Sequence, residues 1–442
     1  MAAGQGSAPV AALDDMSLPT GGPDWLSQLR EQAQLALSSS GLPDKGWEHW
    51  RHNNLAAFTG RELQAPLSPG DAAKGIVVLD ELLPVESGPR LVFVDGQLDW
   101  RLSDLDLLPE GITLSSLSGG LQATDIEDWS HRLSSSVDLQ ANPIVALNTA
   151  LLRDALFVHV KPQVKPARPL LVASYSTAQA DSRICYPRLL VEVAEGAELQ
   201  LIEWHGGADG VDYTSAPVSE FFVAANGSAE VARISEEGDN GHQLGAVTAD
   251  VAAAAEVSFH SYVQGGDQVR VEMAAALRGE GGDASLTGFH LSDKRRFVEH
   301  HSSVRHCCEQ TRSRQFFKGV LAGRSESLFD GMVHVDPGAQ KTDAEQQNRN
   351  LLLSPLALAH SVPRLEIYAD DVRCSHGATA GELDEQAIFY MRARGIDEQT
   401  AKSLLIRAFA AQAIDYCPVS LAAEYELKRL DDFLSLVAGE HG

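Results

Sequence analysis

The 442-residue chain carries 35 basic and 61 acidic side chains, a formal net charge of −26. That surplus excludes phosphate-backbone binding or attraction to an anionic bilayer as its main role, because both need clustered Lys and Arg. With 44% apolar residues the chain can bury a core, and at roughly 150 residues per domain its length allows about three domains.

No apolar run reaches the roughly 18 residues that a transmembrane helix needs. Met1 to Asp15 has no Lys or Arg to form a signal-peptide n-region. The five cysteines (Cys185, Cys307, Cys308, Cys374, Cys417) are an odd set without CxxC spacing. A disulfide framework or self-contained zinc site is therefore not expected, and a reducing cytoplasm is.

Residues 1–23 are rich in Ala, Gly, Pro and Ser and are expected to fray. Asp24 is expected to cap a helix through Trp25, Leu26, Leu29, Ala33 and Leu37, ended by Ser38-Ser39-Ser40-Gly41. A second apolar group, Trp47, Trp50, Leu55 and Phe58, follows Pro43. Patterning to about residue 140 is mixed.

From about 165 to 365, short β-type runs alternate with Gly, Asn and Asp turns: Leu189–Val193, Leu199–Ile202, Phe221–Val223 and Val269–Val271. Four units open alike, at Gly196-Ala197-Glu198-Leu199, Ser228-Ala229-Glu230-Val231, Ala254-Ala255-Glu256-Val257 and Asp283-Ala284-Ser285-Leu286. Their steps of 32, 26 and 29 residues suit stacked coils of a β-helix or a β-sandwich. Small residues at the turns and Val/Leu ladders favour the β-helix, and the sandwich stays open on pattern alone. Helical periodicity returns with Leu383, Ala387, Ile388 and Met391, stopped by Gly395. Asp397 should cap a helix with Ala401, Leu404, Leu405, Ala408 and Phe409. Leu427, Leu430, Phe433, Leu434 and Val437 mark a last helix ending at Gly439.

Three segments invite chemistry. Leu117-Ser118-Gly119-Gly120-Leu121-Gln122 looks like an ABC-ATPase signature, but G-x-x-x-x-G-K-[ST] is absent, so a surface turn is expected and ATP hydrolysis by this chain is not. No G-x-G-x-x-G or G-x-S-x-G is present. His300, His301, His306, Cys307 and Cys308 hold enough soft donors for a metal, yet their spacing matches no standard tetrahedral site. Alternation would put His300, His306 and Cys308 on one face and His301 and Cys307 on the other. Coil residues on a solvated β surface are the expected account. Cys374 and His376 are two apart, so an extended strand turns both to one face, where thiolate and imidazole offer ligation or sulfur handling. Two donors make half a site, which a second chain would complete, and a buried structural pair is the competing account.

The segment around that pair carries a family pattern. Asn348-Arg349-Asn350-Leu351-Leu352-Leu353-Ser354, Pro363-Arg364-Leu365-Glu366-Ile367, Ala369-Asp370-Asp371-Val372, Cys374-Ser375-His376-Gly377-Ala378-Thr379 and Ile388-Phe389-Tyr390-Met391-Arg392-Ala393-Arg394-Gly395-Ile396 follow one another. Together they strongly resemble the C-terminal half of the SufB/SufD family of iron–sulfur cluster assembly proteins. Gly331 to Gln340, Ala146-Leu147-Asn148 and the Trp50 region agree upstream. The His-Gly-Ala-Thr version and the sparse cysteines resemble the SufD branch.

The resemblance implies a mainly β chain with helical ends, a right-handed parallel β-helix core between N-terminal and C-terminal helical domains. On it we divide the chain into a flexible N-terminus (1–23), a helical and mixed domain (24–140), a β-helix core (141–382) and a C-terminal helical domain for ATPase docking (383–442). It further implies a non-ATPase scaffold that pairs with a SufB-like subunit and binds a SufC-like ABC ATPase through its C-terminal helices. A transient cluster or iron would form at the SufB–SufD interface. The family's functional histidine carries over to His376 and its neighbouring thiol to Cys374, whereas His300, His301, His306, Cys307 and Cys308 receive no family role. Two other readings stand beside this one. The chain could be an architectural partner contributing no ligand, or an extracellular β-helix enzyme acting on polysaccharides, which the missing n-region and the family motifs disfavour.

Overall fold

Strands of alternating residues, separated by tight turns, can bury one face only by stacking on the coil before and the coil after. The chain does this, in a computed structural model that describes residues 16–43, 46–50, 61–73, 75–82, 88–119 and 129–439. The expectations for Leu55, Phe58, Gly120-Leu121-Gln122, most of the N-terminal tail and the side chain of Val437 lie outside the described residues.

We number the solenoid strands β1 (Leu156–Val160), β2 (Leu170–Ser176), β3 (Arg188–Val193), β4 (Glu198–Gly207), β5 (Val218–Val223), β6 (Ser228–Glu236), β7 (His242–Val251) and β8 (Glu256–Val263). They continue as β9 (Gln268–Leu277), β10 (Asp283–Ser292), β11 (Phe297–His306), β12 (Arg312–Leu321), β13 (Glu326–Val335), β14 (Asp343–Leu352), β15 (Leu358–Ile367) and β16 (Arg373–Gly381). Odd strands form one sheet and even strands the other, parallel throughout, in about 8 turns. Parallel pairing excludes the antiparallel sandwich that pattern left open. The sheets begin before β1. Arg90–Val94 pairs parallel to β2, and Ile112–Ser116 pairs antiparallel to β1.

Ladder register corrects the repeat. Glu198 stands against Ser228, Ser228 against Glu256 and Glu256 against Asp283, so the steps are 30, 28 and 27. The expected alignment slipped by two residues at Glu230 and at Ser285. A two-residue slip preserves the facing of every side chain, so alternation alone could not detect it.

Between the sheets, Val191, Leu201, Val231, Val257, Phe259 and Leu286 form an aliphatic and aromatic interior. Among the described residues six helices lie outside it: α1 (Asp24–Ser40), α2 (Leu79–Leu82), α3 (Pro143–Leu151), α4 (Glu385–Arg392), α5 (Glu398–Ile414) and α6 (Ser420–Gly439). Pro23, not Asp24, occupies the N-cap of α1, and Asp24 is its first helical residue, favourable there against the helix dipole. Gly41 ends α1 at φ 77°. Arg30 of α1 donates to the Leu152 carbonyl at 3.2 and 2.7 Å, tying the helix to the end of α3.

The Ala146-Leu147-Asn148 motif is explained by α3, which is buried along its length. Asn148 Nδ2 donates to the Pro187 and Ala216 carbonyls, and Asn148 Oδ1 accepts from Arg188 at 3.1 Å. Arg188 in turn pairs with Glu220, both fully buried. On the opposite side α5 and α6 cover the outer face of the even sheet, where Trp204, Ile234, Tyr262, Phe289 and Val320 meet Ile406, Ala410, Ala413 and Tyr425. Gly395 has φ 87° and Asp397 caps α5 through Thr400 N, as the sequence predicted, and Asp384 caps α4 through Gln386 N, a cap the sequence reading did not name.

Candidate functional site

The solenoid ends on β15 and β16, whose outer edges meet no further strand among the described residues. β16 is largely exposed, and β15 is half-buried along most of its length. The Arg373 amide donates inward to the Thr342 carbonyl, so in this parallel ladder the amides of Cys374, His376 and Ala378 point outward along the free edge. On β15 the Leu358 amide donates inward to Ser325, which turns position 363 outward. Pro363 therefore costs no ladder bond there, as expected of proline on an edge strand.

Cys374 and His376 do share a face of β16, as alternation predicted. Their in-register neighbours on β14 are Ala344 and Gln346, both buried in the solenoid interior. Cys374 is partly buried against the small apolar cluster of Val333, Val335, Ala339, Ala344 and Ala369. Burial, and then the Asp343 charge, push its thiol above the ordinary thiol range, so at neutral pH it carries its proton. His376 is exposed.

Below His376 the interior turns polar. Gln346 Nε2 donates to Gln315 Oε1 at 2.8 Å, Ser302 donates to the same oxygen at 2.6 Å, and Gln315 Nε2 donates to the Met332 carbonyl. Gln346 Oε1 is buried without a partner. Gly331 is required beside this column, because a Cβ there would lie 2.3 Å from Gln346 Nε2. Asn350 Nδ2 and the Ser361 hydroxyl both donate to Asn348 Oδ1 at 2.6 Å. Gly331 and the Met332 carbonyl thus support the Gln315–Gln346 column below the histidine, and Asn348, Asn350 and Ser361 form a separate polar group of their own. Leu286, Gln315, Gln346 and His376 stack at steps of 29, 31 and 30. A search at that period would have found the column; local spacing did not.

The His/Cys crowd at 300–308 overturns one expectation. His300 and His306 are not on a solvated surface but buried inside the solenoid. Their polar atoms are met by groups from the same or adjoining coils: His300 Nε2 lies 3.0 Å from Ser261 Oγ, and His306 lies 2.8 and 2.9 Å from Thr311 and Ser313. Burial lowers the His306 imidazole to about 4 and holds His300 well below its ordinary value, so both are neutral at pH 7. His301 turns outward, and Cys307 and Cys308 sit in the turn after β11, so the five residues do not converge. The Leu117-Ser118-Gly119 segment is a turn.

Among the described residues two groups of three donor atoms lie within 4.8 Å of one another, and neither contains Cys374 or His376. One joins His49, His301 and Asp330. There Arg364 donates to Asp330 at 2.5 Å and already supplies the cation. Burial raises the Asp330 carboxyl, but the His49 hydrogen bond, with His301 and Arg364, overrides it and holds it at about 2. This cluster fastens the Trp50 region to β11, β13 and β15, next to Arg270 stacked 3.8 Å over the Trp50 ring. The other group is His260, Cys417 and Glu426. Neither was visible in the sequence, because each joins one histidine to two residues more than a hundred positions further along the chain: His49 to His301 and Asp330, and His260 to Cys417 and Glu426.

The molecule is thus a stacked-coil scaffold with no helix long and apolar enough to cross a membrane among the described residues. Its donor pair, Cys374 and His376, sits on an open sheet edge. The chain belongs to the SufBD family: residues 175–409 match "SUF system FeS cluster assembly, SufBD core domain" and residues 15–172 match "SufBD protein N-terminal region". It is 29% identical over 387 residues to the iron–sulfur cluster assembly protein SufD of Escherichia coli, covering 86% of this chain and 87% of that one. It is 28% identical over 425 residues to the SufBD family protein slr0076 of Synechocystis, covering 93% and 92%. To the chloroplastic protein ABCI7 of Arabidopsis thaliana it is 27% identical over 418 residues, covering 92% and 85%.

Proposed function

We propose that this chain is a SufD-type, non-ATPase scaffold subunit of a cytoplasmic SUF complex. It pairs with a SufB-like chain at the open solenoid end, where His376 donates an imidazole to iron or a nascent cluster arriving as cargo. The observation that carries this reading is the position of His376: exposed, on the free edge, with its own amide turned toward an incoming strand. An exposed edge is a template for another chain, and a partner strand laid along β16 would bring its own donors beside His376 and Cys374. The β15 edge is interrupted by Pro363, so β16 is the better pairing edge.

Cys374 is then a secondary ligand or sulfur contact, since its thiol must lose a proton that burial holds in place. The α4–α6 unit docks a SufC-like ATPase. In support, Phe389 and Tyr390 are 72% and 61% exposed on α4 while Lys318 pins α5 to β12, donating to the Phe409 carbonyl and to Gln412. Without a SufB-like chain the same edge would allow a homodimer. The burial of Cys374 favours a second reading, in which the chain only supports its partners and supplies no ligand. Co-expression with SufB-like and SufC-like chains, followed by anaerobic iron and sulfide analysis of the His376→Ala complex, separates the two. Cluster loss in an intact complex supports ligation, and normal loading supports the architectural role.

A further inference from the structure

The second three-donor group lies away from the solenoid end, under the C-terminal helices. His260 is on the outer face of β8, Cys417 is in the turn between α5 and α6, and Glu426 is in the second turn of α6. One donor atom from each lies within 4.8 Å of the other two. His260 and Glu426 are fully buried, with His260 Nε2 3.1 Å from Glu426 Oε2. The other carboxylate oxygen, Glu426 Oε1, is buried with no hydrogen-bond partner. Among the described residues no Lys or Arg forms an ion pair with Glu426.

We propose that His260, Cys417 and Glu426 bind one divalent cation of the borderline class, Zn(II) or Fe(II), that clips the C-terminal helices to the solenoid. Thiolate, imidazole and carboxylate are the ligands this class prefers. Their charges, −1, 0 and −1, neutralise a dication, which offsets the cost of burying a carboxylate that no Lys or Arg pairs among the described residues. The imidazole is already oriented. His260 Nδ1 lies 2.7 Å from Thr287 Oγ1, whose hydroxyl reaches the Phe259 carbonyl at 3.4 Å. With Nδ1–H donating to Thr287, the Nε2 lone pair points at the site, the arrangement of a second-shell partner around a metal-bound histidine. Cys417 Sγ now donates its proton to the Val419 carbonyl at 3.5 Å, and the metal would replace that proton. Glu426 Oε1 is placed to make the carboxylate bidentate or to leave a fourth position for water.

The test uses the full chain expressed in cobalt-supplemented minimal medium, with Co(II) as the probe. The expected result is about one Co per chain and a thiolate-to-Co(II) charge-transfer band. Cys417→Ser abolishes the band and Cys374→Ser leaves it. Thr287→Val, which touches no metal, should weaken Co(II) affinity about 10- to 100-fold while far-UV circular dichroism stays unchanged. Because the site is buried, chelator should strip Co only as helix α6 opens in mild denaturant. A chain that folds with no bound Co, or a Cys417→Ser or Thr287→Val variant with wild-type band and affinity, overturns the proposal and leaves a polar lock. Should Cys417→Ser fail to fold, Thr287→Val decides alone.

Discussion

His376 stands in register on Gln346, one strand spacing away, at the inward side of the last even strand. Gln346 passes its amide hydrogen bond to Gln315, so the exposed histidine terminates a buried polar column instead of sitting alone on a surface. That placement ties a donor to the last coil of the solenoid.

Cys374→Ala should fold and cost about 1 kcal/mol, because a thiol contributes little more than a methyl to the small cluster around Ala344 and Ala369. In the wild type, alkylation of Cys374 should keep accelerating above the ordinary thiol range, since burial raises its pKa. Mass spectrometry across a pH series reads this directly. A plateau near neutral pH would show a preformed thiolate.

Ala378→Pro removes an amide that points out of the free edge and breaks no intramolecular ladder bond. The isolated chain should keep its circular dichroism and melting temperature within a few degrees, yet fail to co-purify with a SufB-like partner. Undiminished pairing would place the interface elsewhere.

Asp330 is an acid with a depressed pKa, so its contribution to stability is present above the unfolded value near 4. It is lost as pH falls toward about 2. Up to about 2 kcal/mol should disappear across that window, and Asp330→Asn should flatten it. Urea titrations at pH 5 and pH 2.5 make the comparison.

Glu237 behaves in the opposite sense. It is fully buried between Tyr213 and Gln243, which donate at 2.6 and 3.1 Å, and burial raises it to about 7. A raised acid favours the folded state below its unfolded pKa and loses that advantage as pH climbs through 7. Between pH 5 and pH 8 the wild type should lose on the order of 2–3 kcal/mol, and Glu237→Gln should lose much less. Parallel slopes for the two proteins would exclude Glu237 as the titrating group.

Much of this architecture is legible in the sequence. Runs such as Leu189–Val193 and Phe221–Val223 alternate or stay apolar because both faces of their sheet are covered. The helix cap at Asp397 and the stop at Gly395 are local chemistry, and local chemistry is what a single chain displays. Register is not local: Glu198 opposes Ser228, not Glu230, and period-two patterning is blind to that slip. The same limit hid the interior of His300 and His306. A histidine is buried here because Ser261, Thr311 and Ser313 receive it, and Ser261 comes from another coil. Cys374 and His376 were found because two residues on one strand keep their spacing after folding.

The most direct test is the iron and acid-labile sulfide content of the anaerobically reconstituted complex carrying His376→Ala. The account predicts an intact complex, at wild-type stoichiometry by size exclusion, with most of its iron and sulfide lost. A variant complex that loads both to the wild-type level would contradict it.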